Sequence, residues 1–70
     1  MTVHEAHRLL EFEEVIGALH SVELTEIGTI ALIGKISVLL PEELAGRLKR
    51  MMGNKIGILR LGGYHVRFLE

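Results

Sequence analysis

Glycines and a single proline cut these 70 residues into short β-like runs around one helix start, Leu40-Pro41-Glu42-Glu43. Three such runs precede the helix and two follow it, the last two around Gly62-Gly63. So many strands in so short a chain expose backbone edges that have to be closed or covered. The order therefore predicts a mainly β fold: a five-stranded barrel with one helix over about 41–52, between strands 3 and 4. Residues 1–12 are set apart as an N-terminal arm or short helix, and residues 13–70 form the single small barrel domain.

The predicted elements rest on local chemistry. Thr2-Val3-His4-Glu5 fits a capping box, and Val3, Ala6, Leu9 and Leu10 fall on one helical face. That reading gives a short helix over 3–10; an extended arm is the alternative. From Glu13 to Leu24, Ile16, Ala18, His20, Val22 and Leu24 alternate with the period of a strand, and Gly17 marks a bulge or bend within it. Thr25-Glu26-Ile27-Gly28 supplies a turn. Thr29–Ile33 and Lys35–Leu40 then form a hairpin about Gly34, or one strand kinked there. Pro41 suits the first turn of a helix, Glu42 and Glu43 complement the dipole at its start, and Arg47, Lys49 and Arg50 complement its end. Leu44, Leu48, Met51 and Met52 form its buried stripe, and Gly53 stops it. Lys55–Leu61 and Tyr64–Leu69 are the final hairpin.

Composition limits what such a body can do. The chain has no cysteine, which excludes disulfides and thiolate metal sites. Nearly half of it, 49%, is apolar, more than so small an interior can absorb, and Leu59, Leu61 and Leu69 crowd a strand face that should be solvated. A homo-oligomer, most simply a dimer, or a larger protein partner is expected to cover the excess. All nine acids are Glu, and Asp, Gln and Trp are absent, a bias that resembles proteins from hot environments. The net charge is −1, but residues 1–35 carry six Glu against Arg8 and Lys35, whereas residues 36–70 carry six cations against Glu42, Glu43 and Glu70. No signal peptide and no run of about 20 apolar residues is visible, so a cytoplasmic protein without a membrane span is expected.

The order of strands and helix over residues 13–70 resembles the OB-fold, a five-stranded Greek-key barrel with its helix between the third and fourth strands. That resemblance is one of topology, and it implies a non-catalytic binding module holding single-stranded nucleic acid on the face of strands 2 and 3. Over residues 34–69 a second likeness runs through Gly34-Lys35-Ile36, Pro41-Glu42-Glu43-Leu44 and Gly53-Asn54-Lys55-Ile56. Those segments are similar to the AbrB-type swapped-hairpin domain, which would make the chain a DNA-binding regulator. Its Gly-to-Pro interval is about two residues longer than the AbrB pattern, its helix is less basic, and two β runs precede the match.

Candidate site residues follow from this. Lys35, Lys49, Arg50, Lys55, Arg60 and Arg67 are the cations that a phosphate backbone would use, with Arg60 and Arg67 predicted as diagonal neighbours across the last hairpin. Their alternative reading is a solvated charged face. Stacking rings are scarce: Tyr64 and Phe68 are assigned to the core and Phe12 to packing at the barrel mouth. His4, Glu5 and His7 have the wrong spacing for a zinc-protease helix, and His20 reads as a partly buried strand residue. Ser21 and Ser37 lack a His-acid partner, and no phosphate loop is present, so no catalytic residue, metal or cofactor is expected.

Overall fold

The computed structural model describes residues 6–69. Over them run six strands: β1 (His7–Arg8), β2 (Glu14–Thr25), β3 (Gly28–Ile33), β4 (Ile36–Leu40), β5 (Lys55–Arg60) and β6 (Tyr64–Phe68). A 3-10 turn at Glu42–Leu44 and one helix, α1 (Ala45–Lys49), connect β4 to β5. The strands form one mixed sheet in the order β1-β4-β3-β2-β5-β6, curled into half a barrel. All neighbours are antiparallel except β1, which lies parallel to β4.

The curl comes from β2. Its first half pairs with β5, from Glu14↔Leu59 to Ala18↔Lys55, and its second half pairs with β3, from Leu19↔Ile33 to Thr25↔Gly28. Between the halves the register shifts, leaving His20 as the extra residue of a bulge and bending the strand. Backbone groups at the bend find partners from two segments: Gly34 donates its N–H to the Ala18 carbonyl at 2.8 Å, while Leu19 donates to the Asn54 carbonyl at 2.9 Å and Gly53 donates to the Leu19 carbonyl at 2.9 Å. Gly17 packs closely there: a Cβ would stand 3.0 Å from the Gly34 nitrogen and press on that turn.

The concave side holds the core. Leu19, Ile33, Val38, Leu48, Ile56 and Ile58 are at most 1% exposed, and each such side chain contributes about 1.5–3 kcal/mol by leaving water. Alternation places Val15, Ala31 and Val66 on the same side, and α1 closes one end with Ala45 and Leu48.

Several expectations change. Thr2 and the rest of the capping box lie outside the described residues, whereas His7–Arg8 are a strand rather than part of a helix. The described residues therefore hold six strands, not five. The helix is shorter than 41–52, because the chain at Met51–Asn54 turns back to bond the β2 bend. That shortening exposes Met52, and Ala45 takes its place in the buried stripe. His20 is exposed as the bulge residue, not half-buried. In the last hairpin Arg60 faces Tyr64, so the loop is Leu61-Gly62-Gly63, one residue longer than expected. The turn about Gly34 does join two antiparallel strands, with Ile33 facing Ile36.

Candidate nucleic-acid interface

The six candidate cations divide into two groups. Arg60 projects to the concave side with Ile58 and is committed within the fold: its guanidinium donates to the Tyr64 hydroxyl at 2.9 Å, lies 4.8 Å from that ring's centroid and stands 3.8 Å from the Glu11 carboxylate. Arg67 projects to the convex side and donates to Glu14 Oε2 at 3.3 Å. This pair passes over Gly57, whose missing side chain leaves the space. The expected diagonal contact between Arg60 and Arg67 is not made: Arg60 faces Tyr64 and Arg67 faces Gly57, which puts them on opposite faces of the sheet.

Lys35, Lys49, Arg50 and Lys55 form the second group. All four are exposed, and none makes an ion pair or side-chain hydrogen bond among the described residues. Lys35 follows Gly34 in the β3–β4 turn, and Lys55 opens β5 opposite Ala18. Lys49 and Arg50 end α1, just before the Gly53-Asn54 segment that bonds Leu19. Two segments tie down the bend of β2, the Gly34 turn and Gly53-Asn54; Lys35 and Lys55 directly follow them, and Lys49 and Arg50 lie just before the second.

Beside Lys55 lies a shallow groove of about 680 Å³, lined by Gly53, Asn54, Lys55, Phe68 and Leu69. Phe68 was expected in the core, but although it stands opposite the buried Ile56, it lies on the outermost strand and is 58% exposed. Phe12 is also displaced from its expected packing role: it is 74% exposed with φ at 71°. A second cleft, about 410 Å³, opens where the half-barrel is incomplete, between Leu9 and Leu39 on one side and Arg60 and Tyr64 on the other.

Arg47 is a functional candidate that charge counting passed over. From α1 it donates to the Val66 carbonyl at 3.0 Å, against the outer edge of β6. Only the pairing pattern of β6 could have located it. The metal candidates gain nothing: His4 and Glu5 lie outside the described residues, and His7 bonds Glu13 at 2.8 Å. No group of metal-ligating side chains occurs among the described residues. Nor is any described helix long and apolar enough to cross a membrane. No family model, curated protein or solved structure matches this chain.

Proposed function

We propose that the chain is a non-catalytic binding module of OB type that holds single-stranded nucleic acid through the basic end formed by Lys35, Lys49, Arg50 and Lys55. The observation that carries this reading is that four cations, all exposed and free of ion pairs among the described residues, lie within a few residues of the two segments bonded to the bend of β2. Phosphates are neutralised best by side chains not already spent on carboxylates. Arg60 and Arg67, which are spent, drop out of the interface. The helix in the connection from β4 to β5, after three long strands and before two, supports the OB reading.

Titration with a single-stranded oligonucleotide at low salt tests it. The wild-type chain is expected to bind, and a Lys49→Glu, Arg50→Glu, Lys55→Glu variant to bind at least about tenfold more weakly. Arg67→Ala is expected to leave affinity unchanged. A wild-type chain that does not bind at about 50 mM salt refutes the reading, since electrostatic contacts strengthen as salt falls.

A second reading, an assembly subunit, is favoured by a different observation. Nine large apolar side chains among the described residues are exposed, including Ile16, Ile27, Leu61 and Phe68. That is more apolar surface than solubility alone calls for.

A further inference from the structure

The free edge of β6 is complementary to itself. In the β5–β6 ladder Leu69 donates to the Lys55 carbonyl at 2.9 Å, and Leu61 donates to the Gly63 carbonyl at 2.8 Å. Hydrogen-bonded pairs alternate along an antiparallel ladder, so Gly57 with Arg67 and Leu59 with His65 are the bonded pairs between them. Arg60 agrees: both its backbone groups bond toward β2, to Phe12 and Glu13, and none toward Tyr64. The N–H and C=O groups of Tyr64, Val66 and Phe68 therefore point away from β5, and among the described residues β6 is the last strand of the sheet. Of these six groups only the Val66 carbonyl has a partner among the described residues, the Arg47 guanidinium.

We propose that this edge pairs with the same edge of a second copy, antiparallel about a two-fold axis at Val66, so that two half-barrel sheets join into one. The inference deepens the assembly reading by naming the partner and the register. Centring on Val66 sets Val66 against its own copy and Tyr64 against Phe68 of the second copy, twice. Every outward-facing backbone group then finds a partner, and the exposed ring of Phe68 packs on a tyrosine ring. On the other face His65 stands against Arg67 of the second copy, with Glu14 beside Arg67 to balance its charge. Neighbouring registers are worse: centring on Arg67 sets two guanidinium groups directly opposite, and centring on His65 leaves Phe68 without a partner. The seam avoids proline, and β6 carries no unbalanced charge of the kind that keeps edges apart. Arg47 sits on the one acceptor that pairing needs, so it releases the Val66 carbonyl when the seam forms.

Sedimentation across the micromolar range, with circular dichroism as the control for folding, is the first test. The wild-type chain is expected to dimerise. Phe68→Pro deletes an edge-facing N–H that β5 does not use, and it is expected to give a folded monomer. Arg47→Ala uncovers the Val66 carbonyl and is expected to tighten the dimer severalfold. A register test does not depend on how proline is tolerated. His65 and Arg67 of the second copy form a pair without hydrogen bonds, whose Cα atoms approach to about 4.5 Å, within reach of a disulfide. A mixture of the His65→Cys and Arg67→Cys chains is expected to form an interchain disulfide under mild oxidation, and either chain alone is not. A wild-type monomer at all concentrations overturns the proposal, as does a mixture that fails to cross-link or a cross-link within one variant alone. A dimer indifferent to Phe68→Pro in a folded chain refutes this seam while leaving assembly by another face, and the nucleic-acid reading stands apart from all of these results.

Discussion

Thr29 is fully buried on β3, yet its hydroxyl has no hydrogen-bond partner among the described residues. An unpaired buried hydroxyl costs about 1–3 kcal/mol, and valine has nearly the same shape. Thr29→Val is therefore expected to raise stability by about 1 kcal/mol, read as a higher denaturant midpoint with an unchanged slope. Gly28, one residue earlier, behaves oppositely. It sits at φ 133°, and a Cβ there would come within 2.8 Å of the Leu40 carbonyl oxygen. Gly28→Ala combines backbone strain with a clash against main chain and is expected to cost about 2–4 kcal/mol in the same measurement. Sequence located the turn but not the severity of this position, because the crowding comes from Leu40, twelve residues away. Phe12 shows the same limit: a bulky residue at positive φ has no signature in the chain, and the Phe12 N–H bond to the Arg60 carbonyl, 2.6 Å, exists only once β2 and β5 meet.

At the scale of elements, β1 is the addition that local patterning missed. Two residues cannot hold a strand by propensity; His7 and Arg8 are extended because β4 offers an edge, with partners Val38 and Leu39. The segment is fastened mainly through Glu13. Its carboxylate accepts from the Leu10 N–H at 2.8 Å and bonds the His7 ring at 2.8 Å, and Glu13 itself donates its N–H to the Leu10 carbonyl. The Leu10 N–H, and after it the His7 side chain, hold the Glu13 carboxyl below its ordinary value, against an opposing push from desolvation. A depressed folded-state pKa contributes stability that is complete above the unfolded value and is lost as pH falls through the folded one. The protection of the Leu10 amide against hydrogen exchange, measured relative to its intrinsic rate at each pH, is accordingly expected to fall as pH drops from about 5 through that lowered value, and Glu13→Gln to remove this dependence. The longer strands were legible because their apolar alternation survives folding intact. Tertiary bonds at Met51–Asn54 overrode propensity and cut the helix short.

The molecule as a whole separates charge that is spent from charge that is available. Residues 36–70 supply six cations, but the fold ties Arg60 to Tyr64 and Glu11 and Arg67 to Glu14. If the remaining four meet phosphates, the logarithm of the oligonucleotide affinity is expected to fall with the logarithm of salt at a slope no steeper than about 3, each contact contributing roughly 0.7. A slope near zero, measured by repeating the titration at several salt concentrations, counts against phosphate binding. The charge asymmetry of the chain was readable in advance. Which cations would be free was not, since that depends on Glu14 lying beside Gly57 and on Arg60 turning inward.

The bend of β2 also sets an order of assembly. The β2–β3 and β3–β4 hairpins join residues close in the chain, whereas the Glu14–Ala18 half waits for partners at Lys55–Leu59. A nascent chain can complete three strands while half of its longest one still has no neighbour on that side, with Val15, buried in the finished fold, bare. Contacts across such sequence distances form late, because the loop they close must be ordered first. The same strand that shapes the finished sheet is thus the exposed surface of the unfinished one, and the interval before the C-terminal hairpin docks is when this chain is most open to misassociation.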